Sequence, residues 1–166
     1  MVNKVTVKVI DKDRGWKNIK TQLLFLVDGR TVVIGIQGDD ANEAREGGMT
    51  NIKLGNIHEY GTDDGKIPAR SFLRSTFDAN NRKYLKAINR ISKNIFGGVN
   101  PLGQLMLLGE VARADVLKTI KSKIPPPLAE STIAHKKGET TPLIDTGQLF
   151  NSISSVIVDL NEARSR

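Results

Sequence analysis

Residues 2–10 (VNKVTVKVI) alternate, with Val5, Val7 and Val9 on one side of an extended chain and Lys4, Thr6 and Lys8 on the other. That is the pattern of a half-buried strand. The period then changes: Trp16, Ile19, Leu23, Leu24 and Val27 recur at spacings of three and four and predict a helix over 15–27. Asp28-Gly29-Arg30 is a turn, and residues 31–37 (TVVIGIQ) read as a strand in which Gly35 points to a bulge or a close backbone approach. Residues 51–60 predict a short helix that Gly61 ends. After Pro68, Phe72, Leu73, Phe77, Tyr84, Leu85, Ile88, Ile91 and Ile95 keep helical spacing until Gly97-Gly98 stops them. A second long helix fits 101–123, with Pro101 in its first turn and Lys118, Lys121 and Lys123 at its end. Pro125-Pro126-Pro127 ends it, and residues 152–160 (SISSVIVDL) read as a last strand. The polar or proline-rich stretches 38–50 and 125–141 are expected to be exposed loops. The expected fold is α+β, one domain over 1–166, with a small antiparallel or mixed sheet of about three to four strands packed with two long helices.

Composition narrows the chemistry. A chain of 166 residues, 39% hydrophobic and 26% charged, has the means to bury a single core. It contains no cysteine and two histidines, which removes disulfide scaffolds, thiolate nucleophiles and His-rich metal centres. No cofactor or metal is expected. The longest apolar runs, residues 23–27 and 105–108, fall far short of the ~20 residues of a bilayer span, and residues 1–13 lack the apolar block of a signal peptide. A cytosolic or particle-bound chain with no membrane partner is the expectation.

The net charge of +7 is unevenly spread. Asp39, Asp40, Glu43, Glu46, Glu59, Asp63 and Asp64 face only Arg45 and Lys53 across residues 39–64, whereas Arg70, Arg74, Arg82, Lys83, Lys86, Arg90 and Lys93 face only Asp78 across residues 70–93. A basic helix of this kind is a solvated face, a non-specific contact with DNA, or one half of a like-with-unlike contact between identical subunits. The absence of interleaved aromatic residues argues against single-strand stacking.

Two motifs invite a catalytic reading. Leu143-Ile144-Asp145-Thr146-Gly147 looks like an aspartic-protease loop, but that chemistry needs two such aspartates sharing a proton, and Gln148 follows where a small residue belongs. A local helix cap by Asp145 explains the motif better. His58-Glu59 invites acid–base chemistry with His135, yet adjacent helical side chains do not face each other and His135 sits among lysines. There is no Walker-type phosphate loop, no G-x-S-x-G elbow and no H-E-x-x-H pair. No catalytic residue is assigned, and an enzyme is not expected.

Two blocks carry a more specific signal: Ile57-His58-Glu59-Tyr60-Gly61-Thr62 followed by Ile67-Pro68-Ala69-Arg70-Ser71-Phe72-Leu73-Arg74, and Pro142-Leu143-Ile144-Asp145-Thr146-Gly147-Gln148-Leu149-Phe150-Asn151-Ser152-Ile153. Together they resemble the neck and tail-completion (head–tail connector) proteins of long-tailed bacteriophages, including the Mu-type virion-morphogenesis group. In that family proline is common where Ser71 stands, a basic residue is common where Phe150 stands, and in many relatives the two blocks come in the opposite order. The resemblance implies a structural virion protein, a homo-oligomeric ring around the DNA channel at the head–tail junction, made in the host cytoplasm. Its neighbours would be other neck, tail-terminator, tail-tube or sheath proteins. A tail-terminator ring that caps tube polymerisation, and a DNA-binding protein using the basic helix 70–93, are the alternative readings.

The motif residues His58, Glu59, Tyr60, Gly61, Pro68, Arg70, Phe72, Arg74, Asp145, Thr146, Gly147, Leu149 and Ser152 are candidates for the interface, with Arg82, Lys83, Lys86 and Arg90 as the basic face. Pro68 predicts an extended entry into a helix beginning near Arg70, anchored by Phe72 and Leu73. Arg70 and Arg74 would then share a helical face, suited either to the acidic stretch of a neighbouring subunit or to Glu59 and Asp63 of their own.

Overall fold

The computed structural model describes residues 12, 14–27, 29–42, 48–135, 141–144 and 147–159. Helix α1 (Trp16–Val27) leads through a tight turn into strand β1 (Arg30–Ile36). A single 3-10 turn (Asp39–Ala41) follows, then α2 (Asn51–Tyr60) and the two long helices α3 (Arg74–Phe96) and α4 (Pro101–Lys121). Two short helices, α5 (Glu130–His135) and α6 (Gln148–Asn151), precede strand β2 (Ile153–Asp159). The class is α+β, as the patterning predicts.

The sheet among the described residues has two strands, β1 and β2, paired antiparallel from Arg30 opposite Asp159 to Ile36 opposite Ile153. The expected total was three to four; the strand read over 2–10 lies outside the described residues. Gly35 pairs in regular register with Ser154, and no described atom lies within 4 Å of where its Cβ would stand, so it marks neither a bulge nor a close approach.

The close approach is made elsewhere, by Gly109. A Cβ there would meet the Ser155 and Val32 side chains at 3.2 Å, so the missing side chain lets α4 lie close on the sheet. Around that crossing α4 turns Gly109, Ala112, Val116 and Ile120 inward, a ridge of helical spacing that grows from small to large. Val32, Ile34 and Ile36 alternate onto the face it covers, opposite Ile157, Ser155 and Ile153. Phe72, Val116, Ile120, Leu143 and Ile153 form the buried centre.

The junction between the two long helices is set by local chemistry. Asn100 accepts from the Leu102 N–H at the start of α4, where Pro101 needs no partner for a missing N–H. The end of α3 is a Schellman turn: Val99 N–H donates to Asn94 C=O, Gly98 N–H donates to Ile95 C=O, and Gly98 supplies the positive φ of +85°. The chain doubles back there, and α3 and α4 run antiparallel. Thr76 bonds Thr119, Tyr84 and Lys83 bond Asp115, and Asn94 bonds Gln104 across the seam.

Two loop expectations change. Within 38–50 the 3-10 turn buries Ala41, and within 125–141 the chain forms α5. The helix expected from near Arg70 begins at Arg74, for a reason that lies in Glu59.

Candidate functional site

Helix α2 delivers His58, Glu59 and Tyr60 in its last turn, and Gly61 ends it with φ +81° and ψ −174°, a backbone conformation open essentially to glycine alone. A Cβ on Gly61 would also stand 3.0 Å from Ala69 N and Ile67 O. The chain loops through residues 62–67, held by Thr62, whose N–H donates to Ile67 C=O and whose hydroxyl accepts from the Ile67 N–H. It returns beside α2, where Arg70 N–H donates to His58 C=O.

Glu59 lies at the centre of this corner, 5% exposed. Its Oε1 accepts from Ser71 Oγ at 2.6 Å and from Arg74 N–H at 3.0 Å; its Oε2 accepts from Phe72 N–H at 2.8 Å and Leu73 N–H at 2.9 Å. Those amides would otherwise be unsatisfied at the head of α3, and the N-cap position itself, Leu73, offers no side-chain acceptor. A carboxylate from another helix therefore performs the capping and also meets the positive end of the α3 dipole. Burial pushes the Glu59 carboxyl up, but the bonds from Ser71, Leu73, Arg74 and Phe72 outweigh it and hold the group below the ordinary carboxylate value.

This geometry corrects the expectation for Arg70. Arg70 precedes α3, is 5% exposed, and gives its guanidinium to backbone carbonyls rather than to an acid. Nε donates to Pro126 C=O at 2.8 Å and Nη2 to Pro127 C=O at 3.0 Å. Proline-rich backbone has carbonyls but few N–H groups, so an outside donor that bridges two successive carbonyls suits it. Arg70 and Arg74 share no helical face, and neither guanidinium pairs with Glu59 or Asp63. Arg74 is exposed over the Tyr60 ring, 5.9 Å from its centroid, and Tyr60 is 70% exposed.

The second block packs against the same corner. Leu143, Leu149 and Ser152 are buried, and the Ser152 hydroxyl donates to Leu149 C=O. Gly147, at φ +80°, starts α6. Asp145 and Thr146, with the cap expected of Asp145, lie outside the described residues. His58, Pro68, Arg70, Pro126, Leu143 and Leu149 line a cleft of about 690 Å³ between the blocks. His58, Glu59, Gly61, Pro68, Arg70, Phe72, Gly147, Leu149 and Ser152 thus converge on one corner, whose outward side is Tyr60 and Arg74.

The basic face lies further along α3 and is not part of that corner. Lys83 is held by Asp115 at 2.6 Å, and the Tyr84 hydroxyl donates to the same carboxylate. Burial and then Asp115 push the Tyr84 phenol well above its ordinary value. Arg82, Lys86 and Arg90 are exposed. The sequence marks Pro126 and Pro127 only as part of a helix stop, and gives no sign that Pro126, Pro127, Ser71 or Asp115 holds a motif residue in place. Ser71 is visible in the sequence only as a departure from a motif.

Large apolar side chains remain uncovered. On α3, Phe77, Leu85 and Ile88 form a stripe beside Tyr84 and Ile91, which turn inward; Leu85 is 53% exposed. Trp16, Phe96, Met106 and Leu107 are more exposed still. Among the described residues no group of three or more His, Asp or Glu side chains is placed to hold a metal ion, and no helix is long and apolar enough to cross a membrane. Comparison with known proteins finds no matching family model, curated relative or solved structure.

Proposed function

We propose that the chain is a structural subunit of a bacteriophage neck or tail-completion ring, assembled from identical copies around the DNA channel. The observation that carries this reading is what the motif residues do. Glu59, the acid of the His58-Glu59 pair, and Arg70 are engaged in holding the chain: three amides and a hydroxyl for one, two carbonyls for the other. The blocks therefore act as a brace for the head of α3. The braced helix presents Phe77, Leu85 and Ile88 outward, with Arg74 and the Tyr60 ring of α2 at its head, an apolar strip of the kind that closes against a second copy. Contact between this strip and a different patch on the neighbour is heterologous, and such a contact closes into a ring when its rotation permits.

The test is assembly. Light scattering and electron microscopy of the purified protein are expected to give closed rings of uniform size, and virions are expected to contain the chain at their head–tail junction. A chain that stays monomeric at all concentrations and is absent from virions would overturn the reading.

A further inference from the structure

Beyond its buried side, α3 exposes two sectors of different chemistry. At about 100° per residue, Phe77, Leu85 and Ile88 fall in one sector, and Arg82, Lys86, Arg90 and Lys93 fall in the other. All four cations are exposed. Their spacings of four, four and three residues make one straight ridge about 16 Å long. Among the described residues no ion pair joins any of the four to a carboxylate, whereas their neighbour Lys83 is neutralised by Asp115. The single acid of α3, Asp78, lies a turn before the ridge begins.

We propose that this ridge binds the phosphate backbone of duplex DNA without reading its sequence. Uncompensated like charges on one ridge repel each other and attract a polyanion. A protein partner is disfavoured because an interface needs a desolvated apolar centre, and only Ala87 interrupts the charges along the concavity formed by Lys83, Lys86 and Arg90. A single strand is disfavoured because no aromatic ring stands on the ridge: Phe77 and Tyr84 pack on each other at 5.5 Å, and Tyr84 is buried. The inference deepens the ring reading and rests on it for orientation. With the apolar sector closed against a neighbouring copy, the basic sector stays open, and repetition around the ring multiplies weak contacts into avidity.

The test is the salt dependence of binding of the full chain to a mixed-sequence duplex, followed by fluorescence anisotropy. Four phosphate contacts predict a slope of about −3.6 in log K against log salt, a loss of about 150-fold for a fourfold rise in salt. Arg82→Gln, Lys86→Gln and Arg90→Gln together should leave about a quarter of that slope, with circular dichroism and light scattering unchanged. A variant with the wild-type slope, or a wild type that does not bind, overturns the proposal. So does preference for a single strand of equal length. Tighter binding of poly-L-glutamate than of the duplex, at equal charge and salt, would overturn the proposal and assign the ridge to an acidic protein instead. DNA binding by a chain that never forms rings would sink the ring reading and leave the ridge standing; rings without DNA binding would do the reverse.

Discussion

Glu59 satisfies three backbone amides and a hydroxyl, so its removal is felt in stability. Glu59→Ala is expected to lower unfolding free energy by about 2–3 kcal/mol, and Glu59→Gln by less, since one acceptor oxygen survives. Urea titrations check both. The same group makes stability depend on acid. Its folded-state value lies below the ordinary 4.5, so its contribution is complete above that value and is lost as pH falls through the lower one. Wild type should therefore weaken more steeply than Glu59→Gln below about pH 4.5. Arg70→Lys is expected to cost about 1.5–3 kcal/mol, because a point-like ammonium cannot span the Pro126 and Pro127 carbonyls as the guanidinium does. Arg74→Ala, at an exposed site, should stay within about 0.5 kcal/mol. Thermal melts of the two variants separate the brace from its surface. The motif singles out both arginines, but their partners are not legible in it. Sequence reasoning pairs a cation with the nearest acid, whereas Glu59 took amides and Arg70 took carbonyls, groups that carry no letter in a sequence.

At the level of elements, α3 and α4 are locked by one acid. Asp115 receives Lys83 Nζ and Tyr84 Oη, and Asp115→Asn is expected to cost about 1–3 kcal/mol and to bring the Tyr84 phenol down toward its ordinary value. A spectrophotometric tyrosine titration beside a urea curve reads both effects. The end of α3 and the start of α4 were readable from apolar spacing and from Pro101, Gly97 and Gly98, because those two ends are set by local chemistry. The start of α3 was misread by four residues because its cap comes from Glu59, twelve to fifteen positions upstream. Gly109, which decides how near α4 comes to the sheet, carried no signal: a helical glycine reveals its purpose only once its neighbour across the interface is known. The cap read at Asp145 and the strand read over 2–10 lie outside the described residues.

For the whole molecule, the apolar stripe on α3 decides whether the chain lives alone. Leu85→Asp with Ile88→Asp should leave the monomer's circular dichroism and melting unchanged, since both side chains are exposed, while abolishing assembly in light scattering. An assembly that survives this change would move the contact to Trp16, Phe96, Met106 and Leu107. The strand pairing has a consequence for time as well as for shape. The Glu59 cap closes over a dozen residues, but β1 meets β2 across more than a hundred; the bond from the Gln37 side chain to Ser154 C=O alone spans 117. Contacts of such high order form slowly, and on a ribosome β1 waits through the synthesis of both long helices before its partner emerges. A waiting strand exposes an unpaired edge that neighbouring nascent chains can join. Sheet closure, rather than helix formation, therefore sets the pace at which competent copies reach the pool, and crowding of nascent chains is the condition under which the yield should fall first.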